Sequence, residues 1–589
     1  MLFGKPPVWV AGDEALARRV LGRLQRVGRR ARQVSLADLA GLKPGICRTL
    51  VLADPPEPAA LVSDLAARLD GQPGRGHRTI PLRLILMHQA DPPPPLPELD
   101  PGGPILLETF ALEDRAARAL LKRWPLHGGL DPVFGQRPHL LVVGFGLPAR
   151  AMIVHALRLI HYGVGRPRVT ITHLDRQARD RFVQTYPYAD QVADLVWADL
   201  DRLDLAHAPP VTQVLVCPNP STAEAIALSR HLVQRLAADQ GTSPPILLEV
   251  GDEALSGPLN EWDGQTFPFS YLDEACRPSV LFDGLGDELA RTIHESYTDS
   301  IAAQGRDPER EPAGRPWSRL SGSYRNANRH QADHLWAKLA VMDCRAVQEE
   351  QVESFTFAPL EAEDLAVIEH LRWAADRHLD GWSYAPVRDN ARRHHPQLIP
   401  YQDLSEPMKD LDRFAVRGVP TLLARSGLGV ERMLIVAIPA TDCPADGRLQ
   451  RLIEQALERL VARYPDRSLV IASPLADPAS RLFAWHALGL AGAGLFLLCP
   501  QPLAETLARQ PDETARLDLL GLLTRTERRI SLPGQVEGDG DHELERWCAQ
   551  RAEILLCLGA TPGGVAEPSP PKRVVLDPVA GRIAWGFEY

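Results

Sequence analysis

The 589-residue chain lacks most of the signals that fix a function at first sight. Its eight cysteines are scattered and form no Cys-x-x-Cys pair, which excludes a zinc ribbon and offers no disulfide framework. Several sit in apolar runs, as reduced buried thiols do. No apolar run approaches the roughly 20 residues that span a bilayer, so direct membrane insertion is not expected. Basic charge is not in excess: 65 Lys and Arg against 75 Asp and Glu give a net charge of −10. That excludes a general coat for extended nucleic acid but not a local basic pocket for one nucleotide. There is no nucleophile elbow, Walker loop, H-E-x-x-H or metal triad, so no metal is expected and the balance leans away from an enzyme. The opening MLFGKPPVWVAGDE runs straight into a strand-like stretch, so no secretory leader and a cytoplasmic protein are expected.

Proline is abundant instead: 53 residues, pointing to many loops and stiff connections. The length suits about three to five domains of ~100–200 residues. Alternating apolar strands and amphipathic helices predict a multi-domain α/β chain: two N-terminal Rossmann-like units, a small helical domain, and a C-terminal doubly wound Rossmannoid domain. Residues 1–128 carry the strands VWVAGD, TLVLAD and LRLILMH. The turn after the first has Gly12 but no further glycine, so this unit reads as a scaffold, a degenerate Rossmann-like domain. The linker PLHGGLDPVFGQRP leads to the second unit, 138–256. A helical region over 280–425 follows, and the last domain is 430–589.

The second unit begins HLLVVGFGLPARAMIVHALRL. Gly144 permits a tight turn, Gly146 lets backbone approach a pyrophosphate, and Ala149 allows close helix–strand packing. Asp175, ending VTITHLD, is placed to bond a ribose hydroxyl. Pro148 departs from the common pattern but fits a first helical turn. LLVVGFGLPA, THLDR and VLVCPNPSTAEAIALSRHL resemble the TrkA-N or RCK domains. That resemblance implies binding of NAD(H) or another adenine nucleotide at Gly144, Gly146, Ala149 and Asp175, as a switch without hydride chemistry. The other reading is a Rossmann fold that keeps its turn for packing only.

Glu369 to Val416 gathers Trp373, Trp382, Tyr384 and Tyr401 among Arg372, Arg388, Arg392, Arg393 and Lys409. Rings beside guanidinium groups suit a planar anionic ligand, through stacking and charge-assisted bonds. Leu365, Ile368, Leu371, Ala375 and Leu379 fall at helical spacing, Gly381 ends the helix, and Ser405 signals the start of another. The motifs EH-x-x-W, GW-x-Y, RD, HP-x-L-x-PY and L-x-E-x-x-K-x-x-DR resemble the RyR domain, with a core over 361–416. The resemblance implies a small helical domain with a ligand groove for nucleotide-type molecules, here Trp382, Tyr384, Arg388, His395, Tyr401, Lys409 and Arg413. Trp373 reads as core. Upstream, Arg319, Arg325 and Arg329 cluster around Tyr324, either as a solvated basic loop or facing a ligand.

SPLADPASRLFAWHAL, LLCPQPLAETL and RAEILLCLGATPGG resemble the SLOG superfamily of nucleotide-binding domains. Few glycines stand at the strand ends; only Gly559, Gly563 and Gly564 fit its last phosphate loop. Three functions are open. The first is a nucleotide- or dinucleotide-sensing signalling protein of bacterial defence or stress response, binding a small-molecule nucleotide and self-associating as a homo-oligomer. The second is a nucleotide-processing enzyme using acids such as Asp477 and Glu553. The third is a soluble regulatory subunit of a channel or transporter, with a membrane or effector partner.

Overall fold

The fold is given by a computed structural model that describes residues 7–41, 47–70, 81–89, 94–97, 99–100, 103–172, 175–217, 222–250, 263–282, 285–348, 355–533, 540–559 and 572–586. It divides into two compact units. The first comprises Met1–Arg123, Arg150–His155 and Phe269–Ala332; the second comprises Trp124–Ala149, Ala156–Pro268 and Asp333–Tyr589.

Unit 1 is built on five strands: β1 (Val8–Gly12), β2 (Ala31–Gln33), β3 (Thr49–Ala53), β4 (Leu82–His88) and β5 (Ile105–Ala111). Their order is β2-β1-β3-β4-β5, all parallel. The continuous apolar runs of β1, β3 and β4 are buried on both faces, as a covered parallel sheet requires. β2 and β5 have weaker patterns and were not legible as strands. One face packs on the helix Glu14–Arg26 together with Ala275, Cys276 and Leu281 from the later part of the unit.

Unit 2 carries two larger sheets. The first contains β6 (His139–Val143), β7 (Arg168–Thr172), β8 (Asp194–Ala198), β9 (Gln213–Val216), β10 (Ile246–Glu249) and β11 (Thr266–Phe269). The order β11-β10-β9-β6-β7-β8 is the doubly wound one of dinucleotide-binding sheets. The expected limit of 256 is therefore short of the last strand. The chain winds one way from β6 to β8 and the other from β9 onward, so the carboxyl ends of β6 and β9 flank the topological switch point.

The other sheet holds β12 (Cys344–Gln348); after a two-residue ladder of β13 (Ser383–Tyr384) and β14 (His394–His395) elsewhere, it continues with β15 (Leu428–Ala437), β16 (Arg467–Ser473), β17 (Gly494–Cys499), β18 (Arg528–Ser531), β19 (Ile554–Leu558), β20 (Lys572–Asp577) and β21 (Arg582–Trp585). Its central path β18-β17-β16-β15-β19-β20 is parallel, with β21 and β12 antiparallel. Helices Gly447–Arg463 and Pro478–Leu488 cover it with buried leucine, alanine and phenylalanine. A polar knot fastens the linker before β6 to this sheet. Asp131 is fully buried, and it accepts from Trp547 Nε1 at 2.9 Å and Arg551 Nε at 2.8 Å. Arg551 also holds Asp343 with two bonds of 2.6 and 2.7 Å.

Between the two sheets lies the helix Pro359–Leu379. Pro359 takes its first position, Glu361 accepts the Ala358 N–H at 2.8 Å, and Gly381 at φ +80° closes it. Leu365, Ile368, Ala375 and Leu379 are buried as expected, but Leu371 is 40% exposed. The buried face also carries charge. Glu369 bonds Lys338 Nζ at 2.7 Å and Arg372 Nη2 at 2.7 Å, all three within 5% side-chain exposure. Ile368 packs on Gly163, where an added Cβ would stand 3.3 Å from Cγ1. His334 bonds the carbonyl of His161 at 3.1 Å.

Burial opposes ionisation of Glu369, but Arg372 and Lys338 outweigh it and hold its carboxyl at about 2. A depressed carboxyl stabilises the fold above its unfolded value and loses that contribution as pH falls. Stability from this group is thus expected to decline between about pH 4.5 and pH 2. Glu369→Gln, which leaves two buried cations short of a counter-charge, is expected to cost about 3–5 kcal/mol in urea unfolding and to flatten that acid limb.

Candidate functional site

The glycine turn leaves β6 at the switch point. Gly144 has φ +95°, which disfavours a side chain, and its N–H bonds Thr172 O at 3.3 Å. Gly146 is the extended N-cap of the helix Leu147–Leu159, and Ala149 is fully buried. Pro148 is the second residue of that helix and brings no N–H. The first turn still offers the N–H groups of Leu147 and Ala149, which have no intrahelical carbonyl. Between the glycines, Phe145 is buried edge-on against Phe182 (5.5 Å) and Trp197 (5.1 Å).

Asp175 serves the fold directly. It caps the helix Arg176–Thr185, with Oδ1 accepting from Gln177 N at 2.9 Å and Ala178 N at 3.3 Å. Oδ2 takes no hydrogen bond among the described residues. His173 and Leu174 of the THLDR motif lie outside the described residues, as do Gly563 and Gly564.

On the other side of the switch point stands a group that the sequence pattern alone did not single out. Glu249 ends β10 and Cys217 follows β9, one step beyond the register pair Val216 and Leu248. Burial raises the Glu249 carboxyl to about 7, while its hydrogen bond with the Cys217 thiol pulls the other way. The only signal was an acid closing the strand run PILLEV.

In the helical domain five rings form a row. Centroids are 5.9 Å apart for Tyr401 and His370, 5.6 Å for His370 and Trp373 (nearly parallel), 5.0 Å for Trp373 and His395, and 6.0 Å for His395 and Trp382. Trp373 thus bridges the row and is half-buried. His395 is buried; its Nδ1 accepts from Gln397 N at 3.2 Å, so Nε2 carries the proton of the neutral ring. Burial, with Arg388 and Arg377 adding, holds it neutral down to about pH 4. Arg377 places its guanidinium 5.9 Å from the Trp382 ring. His370, Trp373 and Arg377 follow one helix face at spacings of three and four, a signal that the sequence does contain.

The seven expected groove residues fall into two groups. Trp382, Tyr384, Arg388 and His395 stand at one end. Tyr384 is 56% exposed and pairs with His395 in the short parallel ladder, and Arg388 is exposed. Tyr401, Lys409 and Arg413 gather at the other end around Glu363. Tyr401 is buried with its hydroxyl on Glu363 Oε1 at 3.1 Å. Arg413 is spoken for by Glu363 (2.6 Å), Glu406 (2.8 Å) and Asp410 (3.0 Å), and Lys409 pairs with Glu406 at 3.1 Å. In the first group Tyr384 and Arg388 reach the surface beside the buried His395; the second group is an ionic cluster whose cations are paired with acids.

The acids considered for catalysis do not meet. Asp477 caps the helix Pro478–Leu488 beyond the carboxyl end of β16, while Glu553 precedes β19 and pairs with Arg467 at 2.6 Å. In a parallel sheet these are opposite edges. The amino edge, with the adjoining Val341–Asp343 and Glu361, lines a cavity of about 300 Å³ whose Asp343, Glu361 and Glu553 are each paired with an arginine. Among the described residues no group of three or more His, Cys, Asp or Glu could hold a metal, and no helix is long and apolar enough to cross a membrane.

The family model of the RyR domain matches residues 359–432, so the helix, the ring row and the ionic cluster belong to a RyR domain. The rest of the chain is α/β with Rossmann-like parallel sheets. No curated protein matches the chain. Among solved structures, the apo-structure of D-lactate dehydrogenase from Escherichia coli is similar at 10% identity, covering 51% of this chain and 98% of that one, with a TM-score of 0.19. Salmonella D-lactate dehydrogenase matches at 10% identity over 46% and 94%, also at 0.19. A TM-score of 0.19 is too low for either to define fold or chemistry here.

Asp175→Ala is expected to lower stability by about 1 kcal/mol through the lost cap, whereas Asp175→Asn is near neutral, as thermal unfolding would register. Glu249 contributes in the opposite sense from Glu369. Its raised folded value means stability is full below about 4.5 and is lost as pH rises through about 7. Glu249→Gln is expected to remove that decline between about pH 4.5 and 7, read from melting temperature against pH.

Proposed function

We propose that this chain is a nucleotide- or dinucleotide-sensing signalling protein that binds ligand rather than transforming it. NAD(H) or another adenine nucleotide would sit at Gly144, Gly146 and Ala149, with its phosphates on the first-turn N–H groups and a ribose hydroxyl at the unused oxygen of Asp175. A planar anionic ligand would lie on the open end of the RyR ring row, stacking on Trp382 and Tyr384 and drawing charge-assisted bonds from Arg388.

The observation that carries the reading is a polar link between these places. The helix that opens at Gly146 closes at Leu159, and Arg158 in its last turn pairs with Asp376 at 3.3 Å and Asp380 at 3.8 Å on the RyR helix and its cap. Asp376 lies one turn from Arg372, which holds Glu369, and Trp373 of the ring row is the next residue after Arg372. A ligand that draws the glycine-turn helix toward it must carry or break these pairs. That is the kind of differential contact through which one site biases another. The placement of Asp477 and Glu553 on opposite edges favours binding over chemistry.

Calorimetric titration of the intact protein with NAD+, NADH and ADP-ribose tests the reading. Saturable binding that weakens at least about tenfold in Gly146→Val is expected. Trp382→Ala should leave that site alone and abolish ligand quenching of tryptophan fluorescence at the RyR domain. No heat with any of the three at high micromolar concentration would sink the proposal.

A further inference from the structure

Unit 1 holds a cluster that neither site uses. The helix Leu112–Arg123 carries Arg115 and Arg118, three residues apart, and the helix Gly322–Asp333 carries Arg325 and Arg329, four apart, so each pair shares a face. The helix Leu285–Ala303 supplies one buried acid, Asp287. Three guanidiniums converge on it: Arg118 Nη1 at 2.6 Å and Arg329 Nε at 2.9 Å on Oδ1, and Arg115 Nη1 at 3.3 Å on Oδ2. Their side chains are 14%, 19% and 13% exposed.

Charge does not balance there. Arg118 has a further contact of its own. Without counting it, Arg115 and Arg329 meet no carboxylate but Asp287 among the described residues. Arg325 makes no ion pair or side-chain hydrogen bond among them, although it is partly buried. Glu108, whose charge acts on Arg325, is held by Arg83 with two bonds of 3.0 Å. Arg115 and Arg329 thus share Asp287 with Arg118, and Arg325, one helical turn from Arg329, adds a guanidinium with no ion pair of its own among the described residues. Buried or half-buried charge is stable when it is paired, and a surplus of like charge in one place calls for a counter-ion. Trp317 flanks the cluster, with the Arg329 guanidinium 5.9 Å from its ring.

We infer that this arginine cluster is a binding site for a phosphate-bearing small molecule, with Arg325 as the open fork and Asp287 fixing the orientation of Arg115, Arg118 and Arg329. A guanidinium presents paired N–H groups that match two phosphate oxygens, and a second phosphate can bridge Arg325 to Arg329, one turn away on the same helix. The site shares no residue with the glycine turn or the RyR ring row. It also resolves the basic segment noticed in the sequence: Arg325 and Arg329 enter the cluster, whereas Arg319 is exposed.

The test is titration of the full chain with inorganic pyrophosphate at low salt, for the natural protein and for Arg325→Gln. The natural protein should bind, and Arg325→Gln should bind about ten- to a hundredfold more weakly. Without ligand this variant should melt no lower than the natural protein, because it loses a repelling charge and no partner. Arg325→Lys, which keeps the charge without the fork, should be intermediate. Arg310→Gln, altering a side chain that is 86% exposed, should leave binding unchanged. The inference is overturned if the natural protein fails to bind at about 10 mM, if Arg325→Gln binds as tightly, or if Arg310→Gln weakens binding equally.

Discussion

The buried Glu369 carboxylate, held between Lys338 and Arg372, is the interaction on which the arrangement of unit 2 depends. Taking such ions out of water costs several kcal/mol each, and the cost is met only while all three remain in contact. The helix Pro359–Leu379 therefore cannot rotate or slide without exposing an unpaired charge to an apolar interior. Its register fixes where Ile368 meets Gly163, where Asp376 meets Arg158, and where His370 and Trp373 begin the ring row.

The RyR domain is divided in character by this constraint. One end is electrostatically closed, with Arg413 shared among three carboxylates and Tyr401 tied to Glu363. The other end exposes Tyr384 and Arg388 beside a histidine kept neutral by its surroundings. That neutral ring adds no charge to the guanidiniums of Arg377 and Arg388 beside it.

Much of this was legible from residue pattern. Strands such as HLLVV, LIVA and LRLILMH announce themselves because a central parallel strand is apolar on both faces. Edge strands such as Ala31–Gln33, half exposed, carry no such run and were missed. The glycine turn was legible since Gly144 needs a positive φ. The roles of Asp175, Lys409 and Arg413 were not. A carboxylate written at a strand end looks the same whether it faces a sugar or the next helix, and a cation looks the same whether its partner is a ligand or an acid about 50 residues away. Glu249 escaped because its environment comes from an adjacent strand rather than from neighbours in sequence.

The knot of Asp131, Arg551 and Asp343 has a consequence for how this chain can vary. Asp343 sits at φ +48° with its carbonyl accepting from Met433 N at 2.7 Å, so a branched or bulky residue is excluded there, and only a short acid also reaches Arg551. Asp131 has no solvent to fall back on if Arg551 is lost, Trp547 cannot neutralise it, and its other cation, Arg528, stands 3.9 Å away. The three positions form a single heritable unit. Related chains should keep all three together or exchange all three for apolar residues of matching volume, and correlated change at positions 131, 343 and 551 among such chains would carry that imprint.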